Sequence, residues 1–278
     1  MKEHKKHIID SHFKTYIALF LGVINVSGVA AFYYLWFAPQ TRVRAISNDT
    51  HELYAQTKED TQYMEHVLGD WSSFISGDLE SKTEKLEGAK ENFKNFYNEL
   101  DKISYGSETE ELVRIMKEYA QKGEIVSENM LNVAQYFKKV EKAVVAFNKL
   151  NIETKDIEAL KKLVLNFESV SSDSLSQLEE IAPPLLLLEV DKGYKDLLRQ
   201  YIKSANALSE AIEKNNEEEI TKVGKEADSQ VEAISNQLSS DLDSFVKNSD
   251  MNLGIKIMKD LQKTADNKLE NLKNTYRI

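Results

Sequence analysis

The chain has 278 residues, with 36 Lys plus Arg against 46 Asp plus Glu for a net charge of −10, no Cys, 3 Pro and 10 Gly. Without cysteine there is no disulfide framework, thiolate metal site, cysteine nucleophile or cysteine-linked lipid, and so few prolines and glycines leave too few turns for a sandwich, barrel or propeller. The acid surplus argues against a nucleic-acid partner, because neutralising phosphates takes a surplus of Lys and Arg.

No charge appears between Lys14 and Arg42. Residues 15–38, 24 in all, extend roughly 36 Å as a helix, enough to cross a hydrocarbon core of about 30 Å. Aromatic rings gather at both ends, Tyr16 and Phe20 at one and Phe32, Tyr33, Tyr34, Trp36 and Phe37 at the other, where rings prefer the headgroup region. Pro39 is expected to mark the exit. The pattern predicts a single transmembrane helix acting as a signal anchor over 15–38, after a short cytoplasmic tail over 1–14. Lys2, Lys5, Lys6 and Lys14 precede it and only Arg42 and Arg44 follow closely, which places the N-terminus in the cytoplasm and the large part outside. A cleaved signal peptide is the competing reading, since Val43-Arg44-Ala45 has peptidase-compatible spacing, although 24 apolar residues exceed the usual signal core. Gly22, Asn25, Gly28 and Ala31 are candidates for self-association in the span, small residues permitting close approach and Asn25 a shared hydrogen bond.

Residues 42–278 carry 32 basic and 44 acidic side chains, a net −12. Apolar residues recur at steps of three and four almost throughout, which predicts amphipathic helices and no strands. One run spans Val43, Ile46, Leu53, Met64, Val67, Trp71 and Phe74, a second Leu79 to Ile103, and the two read as one long helix bent near Gly69 or Gly77. After the turn at Tyr105-Gly106-Ser107, capping and acidic residues from Ser107 open a helix that ends near Asn148 to Asn151. The next opens at Thr154, with Ser171 and Ser174 in its apolar seam marking a loosely packed layer. Pro183-Pro184 is the clearest break, followed by a helix to Lys214-Asn215-Asn216, another to about Phe245 and a last from about Leu253. Glu217-Glu218-Glu219 reads as favourable charge in a first helical turn. The fold class is therefore all-α: a transmembrane helix followed by an elongated antiparallel helical bundle, or two bundles joined at Pro183-Pro184, dividing the outer part into 39–182 and 183–278.

Catalytic and metal patterns are absent from the sequence. None of His4, His7, His12, His51 and His66 has the Glu three positions earlier that a di-metal bundle uses or opens an HExxH, and there is no GxGxxG, GxxxxGK or GxSxG. No cofactor is expected and an enzyme is disfavoured. Leu185, Leu186, Leu187 and Leu188 form a run wider than one helical stripe, so at least one is either buried between bundle halves or part of an exposed interaction patch.

The plan of short tail, one span and helical outer body resembles the ligand-sensing half of bacterial chemoreceptors and sensor kinases, without their second span and cytoplasmic signalling part. The Lys-, Glu- and Asn-rich, cysteine-free composition resembles envelope proteins of low-GC Gram-positive bacteria, and residues 183–245 resemble helical modules of their lipoproteins. These resemblances carry no functional residues across. The expectation is a membrane-anchored, non-catalytic scaffold that binds an envelope protein or a second copy of itself. The alternatives are ligand sensing through a membrane partner and, with reversed topology, a cytoplasmic membrane-tethered adaptor.

Immunoblots of cell fractions test the anchor: the chain should stay in the carbonate-washed membrane at its full 31.8 kDa, and a soluble product about 4–5 kDa smaller, the loss expected of cleavage after a signal-peptide-sized segment, would mean removal of the apolar segment.

Overall fold

The computed structural model describes residues 33–150 and 156–278, which are helical nearly throughout and include no strand. No helix among the described residues is long and apolar enough to cross a membrane. The expected span lies outside them apart from residues 33–38, as do Gly22, Asn25, Gly28 and Ala31.

A π-helical turn, Tyr33–Phe37, runs directly into α1 (Ala38–Asp49). Pro39, expected to mark the exit from the span, does not interrupt the winding; it is buried in the first turn of α1, and Phe37 before it is helical at φ −71°, ψ −46°. Proline is tolerated in a first turn, where its missing N–H has no intrahelical role, and the wider π winding before it gives the ring room beside the preceding carbonyls.

The expected single helix bent at Gly69 or Gly77 is instead a hairpin. Helices α2 (His51–Gly69) and α4 (Leu79–Lys102) are separated by the short α3 (Trp71–Ser76). They run antiparallel, with the Tyr54 ring stacked on Phe96 at 5.2 Å and Asn92 donating to Asp60 at 2.9 Å. The reversal is built from polar caps that compete with helix continuation. The Asp70 carboxylate accepts from the Ser73 N–H at 3.2 Å, Asp78 accepts from Ser81 at 3.1 Å, and Lys82 Nζ donates to the carbonyls of Ser73 and Phe74.

Helix α5 (Glu110–Val144) begins two residues later than a cap at Ser107 suggests, and a 3-10 turn, Val145–Lys149, carries it to the expected end. Helix α6 (Ile157–Glu179) is capped by Asp156, which accepts from the Ala159 N–H at 2.7 Å. Then come a 3-10 turn (Leu185–Leu187), α7 (Leu188–Glu213), α8 (Glu217–Asn248) and α9 (Asp250–Tyr276). Asn215 turns the chain with φ 49°, and Asn216 caps α8 by accepting from Glu218 and Glu219 at 3.1 Å, so Glu217 to Glu219 fill its first turn as expected.

The chain gathers into two compact units, each built from stretches distant in sequence. The first holds residues 33–58, 93–121 and 259–278. Its centre is Tyr119, fully buried, with Tyr54, Phe93 and Phe96 around the ring at 5.2–6.4 Å separations within the cluster. The Tyr119 hydroxyl donates to the Thr57 carbonyl at 2.8 Å. The last helix joins through Asp266, which accepts from the Tyr54 hydroxyl at 3.0 Å and lies 2.6 Å from Lys58 Nζ; that ammonium sits 4.2 Å above the Tyr54 ring. Burial and the Asp266 carboxylate hold the Tyr54 hydroxyl well above the usual tyrosine range, so it remains a donor. Ion pairs of Lys117 with Asp101 and Lys268 with Glu111 fix the antiparallel registers.

The second unit holds 59–92, 122–150 and 156–258. Consecutive long helices there are antiparallel: Lys90 pairs with Glu128 between α4 and α5, Arg199 with Glu179 and Lys161 with Glu213 between α6 and α7, and Gln200 with Gln230 between α7 and α8. Gly254 of α9 crosses α5 so closely that a Cβ there would stand 2.5 Å from Val126 Cγ2. Pro183-Pro184 lies inside this unit, in the turn between α6 and α7, so the compact units do not divide the chain into 39–182 and 183–278. Ser171 and Ser174 are fully buried, and the Ser174 hydroxyl donates to the Ala143 carbonyl of α5 at 2.7 Å. Their seam is a bonded layer and not the loose one expected, because short side chains let the backbones approach until a hydroxyl spans them.

Tyr119→Ala should cost about 3–5 kcal/mol, the range for emptying a buried aromatic site, and Tyr119→Phe about 1 kcal/mol for loss of the hydrogen bond to Thr57. Thermal and denaturant unfolding followed by helical circular dichroism reads both.

Candidate functional site

Three features of the described residues are candidates for function. The first is the turn Tyr33–Phe37, whose five large side chains are all exposed, Leu35 and Tyr34 by 75% and 70%. Burying rings and a leucine is worth about 1.5–3 kcal/mol each, so a soluble helix end does not ordinarily display five in succession.

The second is the leucine run, which the structure splits. Leu187 is fully buried, whereas Leu185, Leu186 and Leu188 are exposed, Leu185 by 87%. After the extended Pro184 (φ −57°, ψ 148°), the 3-10 turn points alternate leucines in different directions before α7 begins. The turn is anchored by Asp191, a nearly buried carboxylate in the first turn of α7. It accepts from the Tyr136 hydroxyl of α5 at 3.0 Å and from Lys195 at 2.7 Å, so its charge is matched by an ammonium and a fixed donor. Burial and this carboxylate push the Tyr136 hydroxyl well above its ordinary value, which keeps its proton in the bond.

The third is a cavity of about 470 Å³ in the second unit, among the 3-10 turn that follows α5 and helices α6, α7 and α8. Helix α6 faces it with Leu160, Leu163, Val164 and Phe167, and α7 with Tyr201, Ser204, Ala205 and Leu208. Both sets have the spacing i, i+3, i+4, i+7 of one helical face. Helix α8 completes the wall with Ala227, Asp228 and Val231. The space arises from side-chain size: Ser204, Ala205 and Ala227 stand at core-facing positions where the well-packed part of α5 carries Met116, Tyr119 and Met130. The rings of Phe147, Phe167 and Tyr201 touch one another at centroid distances of 5.1–6.0 Å and make an aromatic wall. Asp228 is exposed at the edge and has no ion-pair partner among the described residues. A sealed void of this volume would cost on the order of 10 kcal/mol at about 24 cal/mol per Å³, comparable to the whole stability of a domain. The cavity is not sealed, since Asp228 on its lining is exposed to solvent.

Among the described residues no group of three or more His, Asp or Glu is placed to hold a metal ion. The exposed leucines were legible in the sequence as a group. The cavity was not: its signal is the pair of small residues on the apolar face of α7, which by periodicity alone reads as ordinary core. No protein-family profile matches the chain, and no curated protein or solved structure is significantly similar to it. The fold defines an all-α protein of antiparallel helices, and its function is argued from these sites.

Tyr136→Phe leaves Asp191 without one of its two donors. The cost should be about 1–3 kcal/mol, with faster amide exchange concentrated at residues 185–191, read by hydrogen exchange and mass spectrometry.

Proposed function

We propose that the chain is a single-pass membrane protein whose acidic helical body stands outside the cytoplasm and works without catalysis, by binding another envelope protein or a second copy of itself. The observation that carries the anchored reading is the exposed aromatic turn Tyr33–Phe37, continuous with the uncharged sequence that begins after Lys14. Rings at that point suit the headgroup layer, where a polar tip meets water and the ring body meets lipid. The contact surface in this reading is formed by Leu185, Leu186 and Leu188, held out by the proline turn and the Asp191 anchor. Leu187 belongs to the core. The exposed leucines are separated from the helix faces that hold the bundle together, so changing them should spare the fold.

Two measurements test the proposal. Protease added to intact cells or protoplasts should digest the body and leave a short protected N-terminal fragment. Leu185→Ser combined with Leu188→Ser should reduce in-cell crosslinking to the partner or to a second copy at least tenfold, with circular dichroism unchanged, whereas Leu187→Ser should unfold the region. Full crosslinking by the double variant removes the leucines from the interface, and protection of the whole body from protease reverses the topology.

A further inference from the structure

The cavity among the turn after α5 and helices α6, α7 and α8 has walls that are a poor host for water. An ordered water needs two to four polar partners, and the inner lining is leucine, valine, alanine and aromatic, with the Ser204 hydroxyl already accepting from Gln200 at 3.1 Å. A volume of about 470 Å³ falls in the range of small-molecule sites, which are mostly apolar with a few placed polar groups. Two features at this site select the charge of an occupant. The exposed Asp228 carboxylate, without an ion-pair partner among the described residues, lines the cavity, and Phe147, Phe167 and Tyr201 form one wall. Among the described residues no cationic side chain lines the space. A carboxylate or phosphate head beside Asp228 would be repelled by its charge, whereas an ammonium there is attracted by it, and a cation also suits an aromatic wall. The net −12 of residues 42–278 also concentrates cations around the body.

From this arrangement we infer that the cavity is a binding site for a small amphiphilic cation, an alkyl- or arylammonium whose apolar portion lies between α6 and α7 and whose charged head sits beside Asp228. The ligand enters between helices, so its apolar part replaces water and fills the space that Ser204, Ala205 and Ala227 leave. The inference is independent of the leucine surface and of the topology.

Calorimetric titration of the full chain in neutral-lipid nanodiscs, with empty nanodiscs as the blank, decides it. The probes are hexyltrimethylammonium, hexanol and hexanoate, which share a chain and differ in head charge. The ammonium should bind saturably at one site and about three- to tenfold more tightly than hexanol, the advantage expected of a partly exposed charge and aromatic contact, with hexanoate weakest. Asp228→Asn should erase the preference of ammonium over hexanol while leaving hexanol unchanged, and Ala227→Phe, which occupies the cavity, should weaken all three probes. Glu217→Gln removes a charge at the start of α8 and should change nothing. Absence of saturable ammonium binding overturns the site; equal affinity for ammonium and hexanol, or an unaltered preference in Asp228→Asn, overturns the cation assignment. Should Ala227→Phe fail to fold, the Asp228→Asn comparison stands by itself, since that side chain is exposed.

Discussion

The unit that contains the first and last described helices depends on one buried aromatic cluster. Tyr119 brings together two stretches that are far apart in sequence: its ring contacts Tyr54 of the first and packs with Phe93 and Phe96 of its own, and its hydroxyl is satisfied by the Thr57 carbonyl. A tyrosine at such a centre carries a constraint that phenylalanine does not. Its polar tip must find a partner or forfeit desolvation energy, so only the helix register that places Thr57 under the hydroxyl is fully stable. The third stretch is coupled to the same cluster one residue away, because Asp266 holds Tyr54 and Lys58 at once. Long-range closure of the fold thus rests on a few polar atoms set in an apolar core, while the apolar area supplies the bulk of the stability.

The second unit solves the same packing problem less completely. Where α5 faces its neighbours the side chains are large and almost wholly buried, but Val164, Ala205 and Ile212 form only a small core with Leu160, Phe167, Leu208 and Ile220 around it. Register here is held by polar devices spaced along the helices: Ser174 to the Ala143 carbonyl, Tyr136 to Asp191, and the ion pairs of Arg199 and Lys161. These can fix the distance between helices without filling the space between them. A cavity with rigid borders results, which a softer apolar interface would have collapsed.

Much of this architecture is written in the sequence. The three- and four-residue apolar rhythm marks nearly every helix, and the breaks at residues 105–107, 183–184 and 214–216 fall where the chain turns. Two features escaped for physical reasons. The reversal between Gly69 and Leu79 looked like a bend because α3 keeps the helical rhythm through Trp71 and Phe74; the turn is made by the side chains of Asp70 and Asp78, whose capping competes with helix over a single residue each. The cavity escaped because periodicity reports which face is inward and is silent on whether opposite faces fill the gap between them. Alanine and serine on an inward face are equally compatible with tight helix crossing, as at Ser174, and with open space, as at Ser204; only the three-dimensional partner distinguishes them.

Pro39 connects the two levels of the argument. A proline after an apolar stretch usually reads as the place where a helix stops and a flexible connection starts. Here the winding is continuous from Tyr33 to Asp49, and just beyond the proline Gln40 donates to the Tyr276 carbonyl at 3.0 Å while Arg42 reaches Glu108 at 2.6 Å. The aromatic turn is therefore attached to its unit through a packed helix with contacts to α9 and to the loop before α5. If lipid holds those rings, it holds this unit through a stiff element and not a tether, and rotation or tilt of the aromatic turn is resisted by the same contacts that close the fold.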